Sequence, residues 1–270
     1  MPATCSRAAA IAALVLGAWL VSATTGCGPP PPPAGVPARD VLMPRYLSAR
    51  RDREQRAAGV EADVLLWSRI GADRLPAADG RLLVMWPDAC RLRLGSLFGT
   101  AIDLALHGDS LDGVLPSERA VLSIDAARDS IGMRAPGAFA VRVLSATWLP
   151  PAAAWEQAVP SDSALELRWV EAEDSLALGI GHDGMPRTLL WTTPGHAALH
   201  VRYGSWTNLH GARWPDRIRL EEPISGTLIE LRATRLASSA LTPDRLRVRM
   251  PADAVRWTLG DVMERIGAMR

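Results

Sequence analysis

The chain has 270 residues, and its 30 basic side chains, all arginine, stand against 29 acidic ones. A formal net charge of +1 gives no cationic excess to displace counterions from a phosphate backbone, which argues against a nucleic-acid binder. Three cysteines are too few for a disulfide framework, and beyond the first two dozen residues no apolar run is long enough to cross a bilayer.

The first element in chain order is an uncharged apolar run, Ala8 to Ala23, behind a single arginine, Arg7. It is too short for a comfortable membrane span and reads as a secretory signal over residues 1–26. Thr24, Thr25 and Gly26 precede Cys27. This pattern resembles a bacterial lipobox, although Thr24 stands where leucine is usual. The resemblance implies cleavage before Cys27 and acylation of its sulfur, for example with palmitate; an ordinary signal cut nearby is the alternative. Cleavage would remove Cys5 and Arg7, leaving a formally neutral chain in which Cys90 has no partner. Pro29 to Pro33 form neither helix nor sheet ladder, so residues 27–40 read as a stiff tether standing a domain off a surface by about 15 Å.

Residues 41–270 read as one domain. Residues 41–58 are rich in helix formers, with Leu42, Tyr46 and Leu47 on one stripe. The segment reads as an amphipathic helix with Pro44 in its first turn and Gly59 at its end. From residue 60 the hydrophobic period is two: residues 91–98, 101–106, 165–169, 217–220, 228–233 and 245–250 alternate apolar with polar. Breakers fall at 76–80, 107–110, 115–118, 181–186, 193–196 and 209–215. Many short, half-buried strands indicate an antiparallel sheet with one wet and one apolar face. Between the strand groups, residues 123–158 read as short helices, with Asp125 as a cap and Phe139, Val143 and Leu144 at helical spacing before Trp148. Pro150 and Pro151 stop them. Helices inserted there are the natural cover for the apolar face. Residues 254–269 read as a last helix.

The segments 85–122 and 211–254 carry a family resemblance. Pro87, Arg91, Phe98, Gly99, Asp109 and Pro116 occupy the places of a Pro-x-x-x-Arg strand, an apolar-Gly hairpin, an Asp/Gly turn and a Pro-Ser turn. Residues 211–220 and 230–254 resemble the closing strands. The pattern is similar to the outer-membrane lipoprotein receptor and carrier family, LolA/LolB-like. The resemblance implies a mainly β (α+β), single-domain incomplete antiparallel β-barrel with an inserted helical lid and an N-terminal helix. It further implies an apolar cavity for acyl chains or lipoproteins, received from a soluble periplasmic carrier protein. The protein would act as a monomer, anchored in the outer membrane by its lipid and facing the periplasm; Gly28 permits that under the enterobacterial sorting rule. Phe98, preceded by Leu97, matches the exposed apolar residue of the transfer loop; burial under a neighbouring loop is its bland alternative. Soluble carriers commonly have arginine before the strand-opening proline. This chain has Trp86.

Leu92, Leu94, Leu104, Leu106, Leu167, Trp169 and Trp191 are the candidates for lining the cavity, core packing being the plainer role for the ten tryptophans. Trp67, Trp86, Trp148 and Trp155 share that ambiguity. Gly-Asp-Ser-Leu at 108–111 is the signature of a lipolytic hydrolase family, but Ser110 follows an alternating strand and the chain has no late Asp-x-x-His. A nucleophile without its base is inert. His196 and His200 have the spacing of a zinc pair, yet on a strand they stand about 13 Å apart. No catalytic residue, metal or cofactor is expected. A different class remains open: a structural or regulatory envelope lipoprotein that uses the same fold to bind a protein partner.

Overall fold

The computed structural model describes residues 39–96, 99–126, 135–195, 198–258 and 261. The expected signal, Cys27 and the proline tether lie outside the described residues, as do Leu97, Phe98 and His196.

Helix α1 (Arg39–Arg56) carries Pro44 in its second turn, not its first. The ring forfeits a bond to the carbonyl of Asp40, a cost softened because both residues are exposed. Leu42, Tyr46 and Arg53 are its buried residues. The helix ends at Arg56. Gly59 opens strand β1 (Gly59–Ile70) instead of closing the helix, because its carbonyl accepts the N–H of Ser239 at 2.9 Å.

Strands β2 (Asp73–Met85), β3 (Ala89–Ser96), β4 (Gly99–His107), β5 (Ser110–Leu115) and β6 (Ala120–Asp125) form a meander from β1. The expected breaker at 76–80 lies inside β2. The register steps from Leu66 opposite Ala78 to Ser68 opposite Leu75, so Pro76 and Ala77 sit in a bulge where a missing N–H costs nothing. The true turn is Gly71–Ala72. Asp125 ends β6, and residues 127–134, where the helix it was expected to cap would lie, are outside the description.

Helices α2 (Pro136–Ser145) and α3 (Ala152–Glu156) follow, the second starting after Pro151. Gly137 docks α2 on the β4–β5 turn: its N–H donates to the carbonyl of Gly108 at 2.9 Å, and a Cβ there would lie 2.1 Å from the carbonyl oxygen of Asp88. Only glycine permits that approach.

The second strand group comprises β7 (Val159–Ser161), β8 (Ala164–Glu171), β9 (Asp174–Gly181), β10 (Pro186–Thr192) and β11 (Leu199–Tyr203). After a small hairpin of β12 (Trp206–Leu209) and β13 (Ala212–Pro215), strands β14 (Arg217–Glu222) and β15 (Thr227–Ser238) return to β1. Residues 245–250 do not form the expected strand. Thr242-Pro243-Asp244 instead starts a short helix, α4 (Pro243–Leu246), whose Leu246 is buried with Leu83 and Ala89 on the outer face. Arg245 reaches Glu61 at 2.7 Å. Nor is 254–269 helical from its start: β16 (Val255–Trp257) pairs in parallel with β6 and buries Trp257. Thr258 and Asp261 bond reciprocally beyond it; the remaining tail residues lie outside the description.

The result is one 14-stranded sheet in the order β16-β6-β5-β4-β3-β2-β1-β15-β14-β11-β10-β9-β8-β7. So many twisted strands must curl. The sheet is an incomplete antiparallel barrel, open between β16 and β7, with helices on its inner face.

Candidate functional site

Strand alternation puts one side chain in two on the inner face, and the register aligns them into apolar rows. Ala62 lies opposite Leu82, Leu82 opposite Leu92, Leu92 opposite Leu104, Leu104 opposite Gly113, and Gly113 opposite Leu122. In the other half Leu167, Leu178, Leu189, Val201, Leu220 and Ile229 make a continuous row over six strands.

The seven cavity candidates therefore all belong to inward rows, but in two patches. Leu92, Leu94, Leu104 and Leu106 lie over β3 and β4 in a cluster completed by Trp257. Leu167, Trp169 and Trp191 lie over β8–β10 in a second cluster with Leu42 and Tyr46 of α1, Trp155 of α3, and Trp148. Phe139 of α2 stands over Trp191, ring centres 4.3 Å apart, and edge-on to Trp148 at 5.7 Å. Helical side chains thus occupy the concave face of the second patch. Leu97 and Phe98, expected in a transfer loop, and Cys27, the expected lipidation site, lie outside the described residues.

Polar ties hold the helical cover. The Tyr46 hydroxyl donates to the carbonyl of Trp148, whose indole N–H donates to the Tyr203 hydroxyl at 3.1 Å. Burial raises both phenol pKa values, so both stay neutral. Arg142 of α2 reaches Glu171, at the end of β8, at 2.8 Å. The central tie is Arg53, only 1 % exposed. Its guanidinium donates to the carbonyl of Ala146 at 3.0 Å and, at 3.4 Å, to that of Arg213 on β13, and it lies 5.2 Å from the Trp206 ring centre. Among the described residues no carboxylate bonds it. Burial pulls it down to about 10, against the opposing pull of Tyr46, Tyr203 and Glu54. Sequence reading missed this residue, although Arg53 lies seven positions beyond Tyr46 and so on the stripe of Leu42 and Tyr46.

On the outer face, Asp103 is clamped by two arginines, its oxygens accepting from Arg91 at 2.8 and 2.7 Å and from Arg93 at 3.1 and 2.9 Å. Ser110 opens β5 directly after the turn, opposite His107. His200 faces Glu221 across β11 and β14. Among the described residues no group of three or more His, Cys, Asp or Glu side chains is placed to hold a metal.

No family model matches the chain, and no curated protein matches its sequence. Solved structures do match in fold. A LolA superfamily protein from Nitrosomonas europaea superposes with a TM-score of 0.54 at 13% identity, over 77% of this chain and 97% of that one. A domain described as an outer membrane lipoprotein-sorting protein, from Vibrio parahaemolyticus, gives 0.51 at 12%, covering 78% and 97%. A DUF1329 family protein from Desulfovibrio piger gives 0.50 at 10%, covering 76% and 99%. Those structures share the open sheet that residues 85–122 and 211–254 led one to expect, and the chain has the LolA/LolB-like fold.

Proposed function

We propose that the protein is a lipid-anchored, periplasm-facing lipoprotein that shelters acyl chains, or the acyl part of lipoprotein cargo, on its concave face and serves lipoprotein localisation at the outer membrane. The observation that carries this reading is the apolar row from Leu167 to Leu220, which packs against side chains of α1, α2 and α3 and against Trp206 of the small β12–β13 hairpin, with no second large sheet facing it among the described residues. A sheet-on-sheet core cannot part without unfolding. A helical cover held by a few polar ties can swing aside while the sheet stays intact. Acyl chains would replace Phe139, Tyr46 and Trp155 against the wall, each buried methylene contributing about 0.8 kcal/mol. Trp169 Nε1, buried without a hydrogen-bond partner among the described residues, is a donor suited to an ester carbonyl of such cargo. Catalysis plays no part in the reading: transfer needs only a cavity less favourable to the chains than the bilayer.

The tether supports the location. Acylated Cys27 and the five prolines after it would hold the domain beside a membrane. The test is mass spectrometry of lipid that co-purifies with Cys27→Ala protein prepared without detergent. Stoichiometric acyl species that diminish when Leu178 is replaced by Asp support the reading. Protein that is free of lipid and fails to take up a fluorescent fatty acid overturns it, in favour of an envelope lipoprotein that binds a protein partner.

A further inference from the structure

We propose that the outer face of β8–β11, on the side of the sheet opposite the acyl-binding wall, is a groove for an extended acidic segment of a partner protein, anchored by Arg202 and Leu190. The groove encloses about 470 Å³, within the range of ligand sites. Its floor is made of Ser175 and Ala177 on β9 with Thr188, Leu190 and Thr192 on β10, Leu190 being the one large side chain among them. Long side chains wall it on both sides, Glu166 and Arg168 on β8, His200 and Arg202 on β11. A floor two strands wide between such walls leaves about 14 Å from wall to wall, room for one extended chain laid along the strands.

Charge selects the guest. Arg168 and Glu166 neutralise each other at 2.6 Å. Arg202 lies directly opposite Arg219 in the β11–β14 ladder, a pair of like charges that repel. Arg219 pairs with Glu221 at 3.2 Å and the neighbouring Arg217 with Glu230 at 2.7 Å. Arg202, exposed at the groove, makes no ion pair among the described residues. One cation is left over, presented in the fork geometry that suits a carboxylate.

An apolar anchor gives the register. In cross-strand rows on this face, Arg202 on β11 stands beside Thr188, and Leu190 on the adjacent strand β10 lies in the next row, beside Ala177. Leu190 is 37% exposed. Rows are two residues apart, about 6.6 Å, which is also the repeat of same-side residues in an extended guest. The pattern fitted is therefore acidic-x-apolar. The contact is far smaller than a standard protein interface, so binding is weak and reversible.

Fluorescence anisotropy with a tagged hexapeptide pool tests this: Asp or Glu at the second position, Leu, Ile or Val at the fourth, Ser elsewhere. Saturable binding to the wild-type protein is expected, weakened at least tenfold by Arg202→Glu and by Leu190→Ser. A pool with Arg at the second position should prefer the Arg202→Glu protein. Both substituted residues reach solvent, and an unchanged melting temperature confirms folding. Amide shifts of Ala177 and Thr188 should move on titration. The inference is overturned by absence of saturable binding, by equal binding to the Arg202→Glu protein, or by Arg202-dependent binding to phosphatidylglycerol vesicles in place of peptide. Lipid uptake on the opposite face is untouched by these variants, so failure here is distinct from failure of the acyl reading.

Discussion

Replacing Arg53 by Met tests what holds the helical cover in place. The substitution keeps an unbranched stem as far as the position of Nε and removes the guanidinium head with its charge. Two effects oppose each other. Met relieves the burial of a guanidinium that no carboxylate bonds, which favours the variant. It also strips the carbonyls of Ala146 and Arg213 of their donor and ends the contact with Trp206. Ala146 follows the last turn of α2 and is 0% exposed, so its carbonyl gains no solvent, and it lies at the negative end of the helix dipole. An orphaned buried carbonyl costs about 1–3 kcal/mol, and a desolvated cation–π contact about 1–2 kcal/mol. The losses win, for a net destabilisation of about 2 kcal/mol with Met and about 4 kcal/mol with Ala, where a cavity adds to the loss. At about 2–4 °C per kcal/mol for a domain of this size, the Met variant should melt roughly 4–8 °C below wild type in differential scanning calorimetry. Proteolysis within α1 and the α2–α3 loop should quicken before the sheet unfolds. A Met variant that melts at or above the wild-type temperature would refute the reasoning, because charge burial would then outweigh the three contacts.

Asp103 gives a pH dependence. Burial alone would raise its carboxyl, but the bonds from Arg91 and Arg93 outweigh burial and hold it below the ordinary 3.8. Its stabilisation is therefore full above 3.8 and is lost as pH falls through the lower folded value; Asp103→Asn should flatten the acid limb of a stability–pH curve, and an unchanged limb would sink the claim. Gly80→Ala would push a Cβ to 2.4 Å from the carbonyl oxygen of Arg93 and 2.7 Å from Leu94 Cδ2. We expect a loss of about 2–3 kcal/mol in urea unfolding, and a neutral result would mean that β2 and β3 part more easily than their ladder implies. The Cys90 thiol, 6% exposed and pushed by burial up to about 12, should resist iodoacetamide at pH 8 until denaturant is added. Rapid alkylation of the native protein would contradict that placement.

The alternating arginine–leucine segments were legible because half-buried strands write their pattern locally: 91–96, 101–106 and 165–169 are strands, and their leucines face inward together. The same alternation misled at 245–250. There Leu246 is buried on the sheet's outer face and Arg245 is held by Glu61, contacts across the fold that no local period encodes. Pro76 read as a breaker because a bulge depends on the partner strand. The inward tryptophans were visible as a set, but Phe139 over Trp191, and Arg53 between α1 and α2, become apparent only once the helices are laid on the wall.

The two rims of the sheet, β7 and β16, are three residues each, and β7 carries Pro160. Rims this short, one of them interrupted by an imino acid, offer too little ladder to recruit a strand from another copy. A wall of fourteen strands can thus stay ajar along its seam without zipping onto its neighbours. Lengthening β7 or replacing Pro160 would convert that seam into a template for fibre growth.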